Sequence, residues 1–203
     1  CGILALFGLK GNSIEVRALA RELQKKLRHR GPDWSGTAVF VSHNNNIFKY
    51  FQEREGTYDV LCHERLIIND PTPAGEQPFR DNSNPDIYIV ANGEIYNYPD
   101  VSHELATNSK VKSQDEGKYE FTSHCDIEVI APLWNEYGKD FVQHLHGMWG
   151  ICVYNKKTGE FFAARDHVGI IPLYYGSGPN GEKYIASELK AISDIATDIQ
   201  ILE

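Results

Sequence analysis

The chain has 203 residues, enough for one domain with a sizeable core, and 41% of them are hydrophobic against 24% charged, a balance that excludes wholesale disorder. Twenty Lys and Arg against 28 Asp and Glu leave a net charge of -8, which argues against a binder of nucleic-acid backbones. No apolar run reaches the roughly 18 residues of a membrane span, so neither a nucleic acid nor a membrane is expected as a partner.

Residues 2–7 (GILALF) form a short apolar run, read as a buried strand. Over 13–28 the period changes: Val16, Leu19, Leu23 and Leu27 recur at helical spacing, with Ser13 as the expected cap and Gly31-Pro32 as the stop. From 37 to 68 the pattern is of β-type runs, TAVFVS, IFKYF and DVLCHERLII, separated by polar stretches at 43–46 and 52–57. A Pro- and Gly-rich loop (70–78) leads to a strand at 86–91 that is expected to end at Asn92-Gly93. A short helix is predicted over 99–106, a polar surface loop over 107–118 and an amphipathic helix over 126–137. Strands follow at 148–154, 160–164, 173–175 and 184–187, with a turn at 155–159. Consecutive groups of strands with few helices predict an α+β fold in one domain, its antiparallel sheets covered by helices.

The four cysteines, at 1, 62, 125 and 152, include no CxxC pair and are too sparse for a disulfide scaffold, so a reducing, cytoplasmic setting is expected. Cys1 opens the sequence. An N-terminal cysteine combines a thiol nucleophile with an α-amine of pKa about 7.7–8.0, a base that can take the thiol proton without a separate histidine. Cysteine acyl transfer also needs donors aimed at a carbonyl oxygen. Asn92-Gly93 suits that task, with a side-chain amide and a backbone N–H unobstructed by a Cβ, although an Asn-Gly hairpin turn would read the same way. Arg65 could clamp a substrate carboxylate, and Glu94 and Asp126 could hold an ammonium; each taken alone reads equally as a surface ion pair.

Two patterns mislead. G-x-G-x-x-G at 176–181 contains Pro179 and joins two strand-like runs, whereas a dinucleotide loop must open a helix. His144-Leu145-His146 and His124-Cys125-Asp126 match no zinc spacing, and no metal is expected.

Six ordered stretches resemble the class II glutamine amidotransferases, above all the asparagine-synthetase branch: CGI (1–3), RHRGPD (28–33), HERL (63–66), NGEIYN (92–97), RDHVGIIPLY (165–174) and SELK (187–190). The resemblance runs from residue 1 to about 192. It implies the N-terminal-nucleophile hydrolase fold, a four-layer αββα sandwich of two antiparallel sheets. It also implies that Cys1 attacks the side-chain amide of L-glutamine, forming a γ-glutamyl thioester and releasing ammonia. Asn92 and the Gly93 N–H would form the oxyanion hole. Arg65 would bind the α-carboxylate, Glu94 and Asp126 the α-ammonium, and Leu66, Ile67, Ile68 and Asn69 would line the pocket partly through their backbone. Asn69 departs from the aliphatic residue usual in the family, and the chain looks longer than usual around 43–58 and 107–118.

The resemblance further implies an ammonia-using synthetase domain as partner, with ATP and magnesium confined to it and no cofactor here. No S-G-G-x-D-S-type loop for that domain occurs in these 203 residues, so the chain reads as the glutaminase domain alone. Two other readings stay open: an N-terminal-nucleophile amidohydrolase acting on a different amide, and a non-catalytic module binding glutamine or a partner. Oligomeric state is open as well, a homodimer included.

Overall fold

The computed structural model describes residues 1–42, 55–108 and 119–203, with the side chain at 108 excepted. The predicted IFKYF strand and most of the 107–118 loop lie outside the described residues. Strands β1 (Gly2–Asn12), β2 (Trp34–Val41) and β3 (Glu55–Arg65) are followed by β4 (Phe79–Arg80) and β5 (Ile87–Ile95). Later in the chain come β6 (Gly147–Asn155), β7 (Phe161–Arg165), β8 (Tyr174–Ser177), β9 (Lys183–Ala186) and β10 (Asp198–Ile201). They build two antiparallel sheets, a six-stranded one in the order β10-β8-β9-β1-β3-β2 and a four-stranded one in the order β4-β5-β6-β7. Helix α1 (Ser13–Lys25) belongs to the first sheet; α2 (Tyr98–Asn108) and α3 (Ile130–Tyr137) belong to the second.

Hydrophobic burial sorts into three layers. Leu4, Leu6, Val60 and Cys62 face outward from the large sheet onto Val16, Ala20 and Leu23 of α1. Ile89, Ala91, Ile151 and Val153 face outward from the small sheet onto Val101, Leu105, Ile130 and Leu133. Between the sheets lie Ile3, Ala5, Phe7, Leu61, Val90, Cys152 and Tyr154. The start of β1 therefore reads as an unbroken apolar run because even residues meet α1 while odd residues meet the second sheet. The arrangement is the predicted αββα sandwich. Among the described residues, no helix is long and apolar enough to cross a membrane.

Several sequence expectations are corrected. The cap of α1 is Asn12, whose side chain accepts from Ile14 and Glu15 N–H while Glu15 reaches back to the Asn12 N–H, a capping box displaced by one residue from Ser13. The 126–137 helix is a 3₁₀ turn (Asp126–Val129) leading into α3, which ends at Gly138 in the left-handed region (φ 56°). The two-residue β4 is too short to show a period, and the terminal β10 (DIQI) alternates polar with apolar over only four residues; neither strand is expected from the sequence.

The correction that matters most for function concerns β5. It does not stop at Asn92-Gly93 but runs through to Ile95, pairing Asn92 with Gly150 and Gly93 with Trp149 of β6. Gly93 can do this because it lacks a side chain. With φ at 134°, a Cβ there would lie 2.0 Å from the Met148 carbonyl oxygen.

Candidate functional site

Strand alternation brings the predicted residues to one end of the inter-sheet layer. On β1, Ile3, Ala5 and Phe7 point between the sheets, so the preceding Cys1 sits at the mouth of that layer. Leu61 does the same on β3, followed at steps of two by His63 and Arg65; Val90 does so on β5, followed by Asn92.

The backbone of Cys1 is held by two motifs far apart in sequence. Arg30 Nε donates to the Cys1 carbonyl at 2.9 Å, and its Nη1 reaches Glu188 at 3.0 Å. His29 and Lys190 converge on the same carboxylate at 2.9 and 3.1 Å. Burial alone would lift Glu188, but these three partners hold it down to about 2. The neighbouring Ser187 exchanges hydrogen bonds with Ile3 through its hydroxyl (2.9 Å) and its N–H (3.0 Å). RHRGPD and SELK are thus the two halves of a clamp on the start of β1. Gly31 lets the first motif lie against the end of β3, where a Cβ would come within 2.2 Å of the Glu64 carbonyl oxygen.

The chemistry at Cys1 follows from this setting. Its thiol sulfur accepts from the Leu66 N–H at 3.3 Å. Burial, reinforced by the Arg30 charge and opposed by Asp33, lowers the α-amine from 8.0 to about 6, so it is largely neutral at physiological pH. Burial lifts the other three thiols, Cys62 to about 12, Cys125 to about 11 and Cys152 beyond them, so none competes as a thiolate.

Two buried groups near Cys1 lack the partner that burial normally requires. The Nδ2 of Asn92 has no hydrogen-bond partner among the described residues, although the residue is only 4% exposed. Arg65 is 6% exposed and pairs with no carboxylate among the described residues; its guanidinium is oriented by the carbonyls of Asp70 and Thr72 (3.1 Å to the latter). An unpaired buried cation and an unpaired buried donor are unfavourable unless something anionic arrives to meet them.

The backbone of β5 adds a third donor. In an antiparallel strand the N–H and C=O of successive residues turn to opposite edges. Ile89 pairs with β4, the Ala91 N–H meets Gln77 Oε1 at 2.6 Å and the Ile95 N–H meets Asp126 Oδ2 at 2.7 Å, all on one edge. Gly93, between them in the same alternation, turns its N–H to that edge, where it lines a cavity with Cys1.

That cavity is lined by Cys1, Arg65, Leu66, Ile68, Asn69, Gly93 and Asp126 of the predicted set, and its volume is about 30 Å³, room for roughly one or two waters. Three predicted residues lie outside its wall. Asn92 is buried beside it on β5, Ile67 gives its N–H to Asp33 at 2.8 Å, and Glu94 is half-buried one step further along β5. Sequence reading missed Asp70, Gly75, Gln77, Ala91, Cys125 and Ile127, which complete the wall, and His63 near it. Only His63 left a signal, standing two residues before Arg65 and so on the same face of β3.

A family model described as a glutamine amidotransferase domain matches residues 1–201. The chain belongs to this family. Over 194 residues, 96% of its length, it is 40% identical to the asparagine synthetase [glutamine-hydrolyzing] of Zea mays, and over 200 residues it is 36% identical to asparagine synthetase B of Escherichia coli K12. It spans 28% and 31% of those two proteins, less than a third of either. Two solved structures share the fold over the whole chain: an allosteric regulatory enzyme of purine biosynthesis (TM-score 0.73, 17% identity) and the glutamine phosphoribosylpyrophosphate amidotransferase of B. subtilis (TM-score 0.69, 18% identity). The chain covers 47% of each. This glutamine amidotransferase domain therefore has relatives alike in sequence among asparagine synthetases, while these two solved structures are alike in fold alone.

Proposed function

We propose that this domain hydrolyses the side-chain amide of L-glutamine to glutamate and ammonia through a thioester on Cys1. The observation that carries the reading is the buried, unpartnered Asn92 Nδ2 at the end of the inter-sheet layer where Cys1 sits. The neutral α-amine takes the thiol proton as sulfur attacks the amide carbon, and the new oxyanion is met by Asn92 Nδ2 and the Gly93 N–H. Collapse of the adduct breaks the C–N bond, and the α-ammonium gives its proton to the leaving nitrogen, releasing ammonia. Water then attacks the γ-glutamyl thioester with the amine again as base, releasing glutamate and restoring Cys1. Nucleophile and base belong to one residue, so the reaction asks for no cofactor or metal.

Arg65 takes the α-carboxylate, and Asp126 with Glu94 takes the α-ammonium. Ammonia then passes to a synthetase domain of a longer cytoplasmic protein, which alone would use ATP and magnesium. Exposed Ile68, Val168 and Ile170, each more than half accessible, belong to the Leu66–Asn69 and RDHVGIIPLY segments that such a domain would cover.

A diazo-ketone analogue of glutamine tests the reading by intact mass and peptide mapping. One adduct on Cys1, blocked by excess glutamine, is expected, with ammonia release that Cys1→Ala abolishes. A folded chain that takes no adduct, or undiminished release by Cys1→Ala, overturns it.

A further inference from the structure

Beyond Ile89, β5 has no strand neighbour on one side among the described residues: β4 pairs only Phe79 with Ile89 and Arg80 with Tyr88. The main-chain groups of Ala91 on that edge are taken up by two side chains from elsewhere. Gln77 Oε1 accepts the Ala91 N–H at 2.6 Å, and the His63 ring, fully buried, lies with Nε2 3.1 Å from the Ala91 carbonyl oxygen. A carbonyl only accepts, so Nε2 carries the proton and Nδ1 the lone pair. Nδ1 has no partner among the described residues. A buried imidazole held in one tautomer, one residue from Asn92 and two from Gly93, is more than apolar packing between sheets would require.

His63 is itself tightly fixed. Its strand is central, with Ile3 of β1 opposite on one side and Gly36 of β2 on the other, and its carbonyl accepts from Gln24 Nε2 of α1 at 3.2 Å. The ring thus transmits the position of the strand pair that carries Cys1 to the strand that carries the donors. From this geometry we infer that His63 is a positioning residue for amide hydrolysis, holding Ala91 so that Asn92 Nδ2 and the Gly93 N–H stay in register with the Cys1 sulfur. The inference rests on the proposed glutaminase reading. Burial, with the nearby Cys1 α-ammonium, keeps the ring neutral down to about pH 3, so His63 neither gives nor takes a proton in the working range.

Three substitutions separate this role from packing. His63→Leu removes the donor, His63→Asn is too short to reach Ala91, and His63→Gln carries an N–H at about the reach of Nε2. In folded variants, kcat for ammonia release is expected to fall on the order of 10- to 100-fold for Leu and Asn, with KM for glutamine within about twofold. Gln should recover most of kcat, and the pH profile should keep its shape in all three. Alkylation of Cys1 by iodoacetamide, which needs no oxyanion hole, should stay within about twofold of wild type.

Unchanged kcat in the Leu or Asn variant overturns the inference, as does a Gln variant no better than Asn, an altered pH profile, or alkylation that slows as much as kcat does. If the Leu variant does not fold, the comparison of Gln with Asn still decides. Wild-type protein that releases no ammonia defeats the glutaminase reading; active wild type with indifferent His63 variants defeats only this inference.

Discussion

The two ends of the inter-sheet layer hold buried polar groups on opposite terms. At the end away from Cys1, Asp59 accepts from the Tyr154 hydroxyl at 2.7 Å and from the Gly8 N–H at 2.8 Å, within a shell that includes Phe7 stacked on Phe161 at 4.0 Å. At the Cys1 end, Asn92 Nδ2 and His63 Nδ1 lack partners and Arg65 lacks a counter-ion among the described residues. Strands β1 and β3 run through both ends. A satisfied buried polar group contributes to folding, whereas an unsatisfied one costs stability that only a ligand or a transition state can recover. The difference assigns stability to one end and chemistry to the other, and substitutions at the two ends should dissociate.

The largest effect belongs to the unsatisfied end. Asn92→Leu should lower kcat for glutamine hydrolysis by roughly 10²–10³-fold, the usual cost of one oxyanion donor. The same change should leave the melting temperature level or higher, since it removes a buried donor that none of the described residues satisfies. A kcat within threefold of wild type would dissolve the contrast between the ends.

Acidification should act on the same end by a smaller amount. With its pKa near 6 the Cys1 α-amine is neutral above that value and loses its capacity as a base as pH falls through it. The kcat/KM profile should therefore show an acid limb with a midpoint near 6, about tenfold down from its plateau by pH 5. A limb centred near 8 would mean that the amine is not buried as described.

The smallest expected effect on turnover lies at the satisfied end. Tyr154→Phe leaves one Asp59 oxygen without its donor and should cost about 1–3 kcal/mol of stability, read by urea denaturation, with kcat and KM for glutamine unchanged. A parallel loss of kcat would show that the two ends are coupled through the strands they share.

Much of this was legible before any coordinates. Apolar runs at 2–7 and 148–154 announce strands covered on both faces, and the heptad-like spacing of Val16, Leu19 and Leu23 announces α1. Cys1 could be named from its own chemistry, whereas Arg65 and Asp126, each alone readable as a surface ion pair, stood out only as a set and through the family resemblance. Asn92-Gly93 was legible as a pair of donors but not in its placement: Asn-Gly suggests a chain reversal, and only the close approach of Met148 explains why a glycine sits mid-strand. His63 and Gln77 escaped because their partner is the backbone of Ala91, and no side-chain pattern advertises a main-chain carbonyl that has lost its strand.

The sequence by itself determined the content of strands and helices, through hydrophobic periodicity, and offered the residue types proposed for the chemistry, while the four-layer order was implied by the family resemblance. Only the tertiary structure decided which of those residues meet. The clamp of Arg30 and Glu188 on Cys1 joins positions 158 residues apart, and the bracket of His63 on Ala91 crosses from one sheet to the other. Periodicity is a local property that burial imposes on each element, while partnership between elements depends on register and sheet packing, which the whole chain settles together.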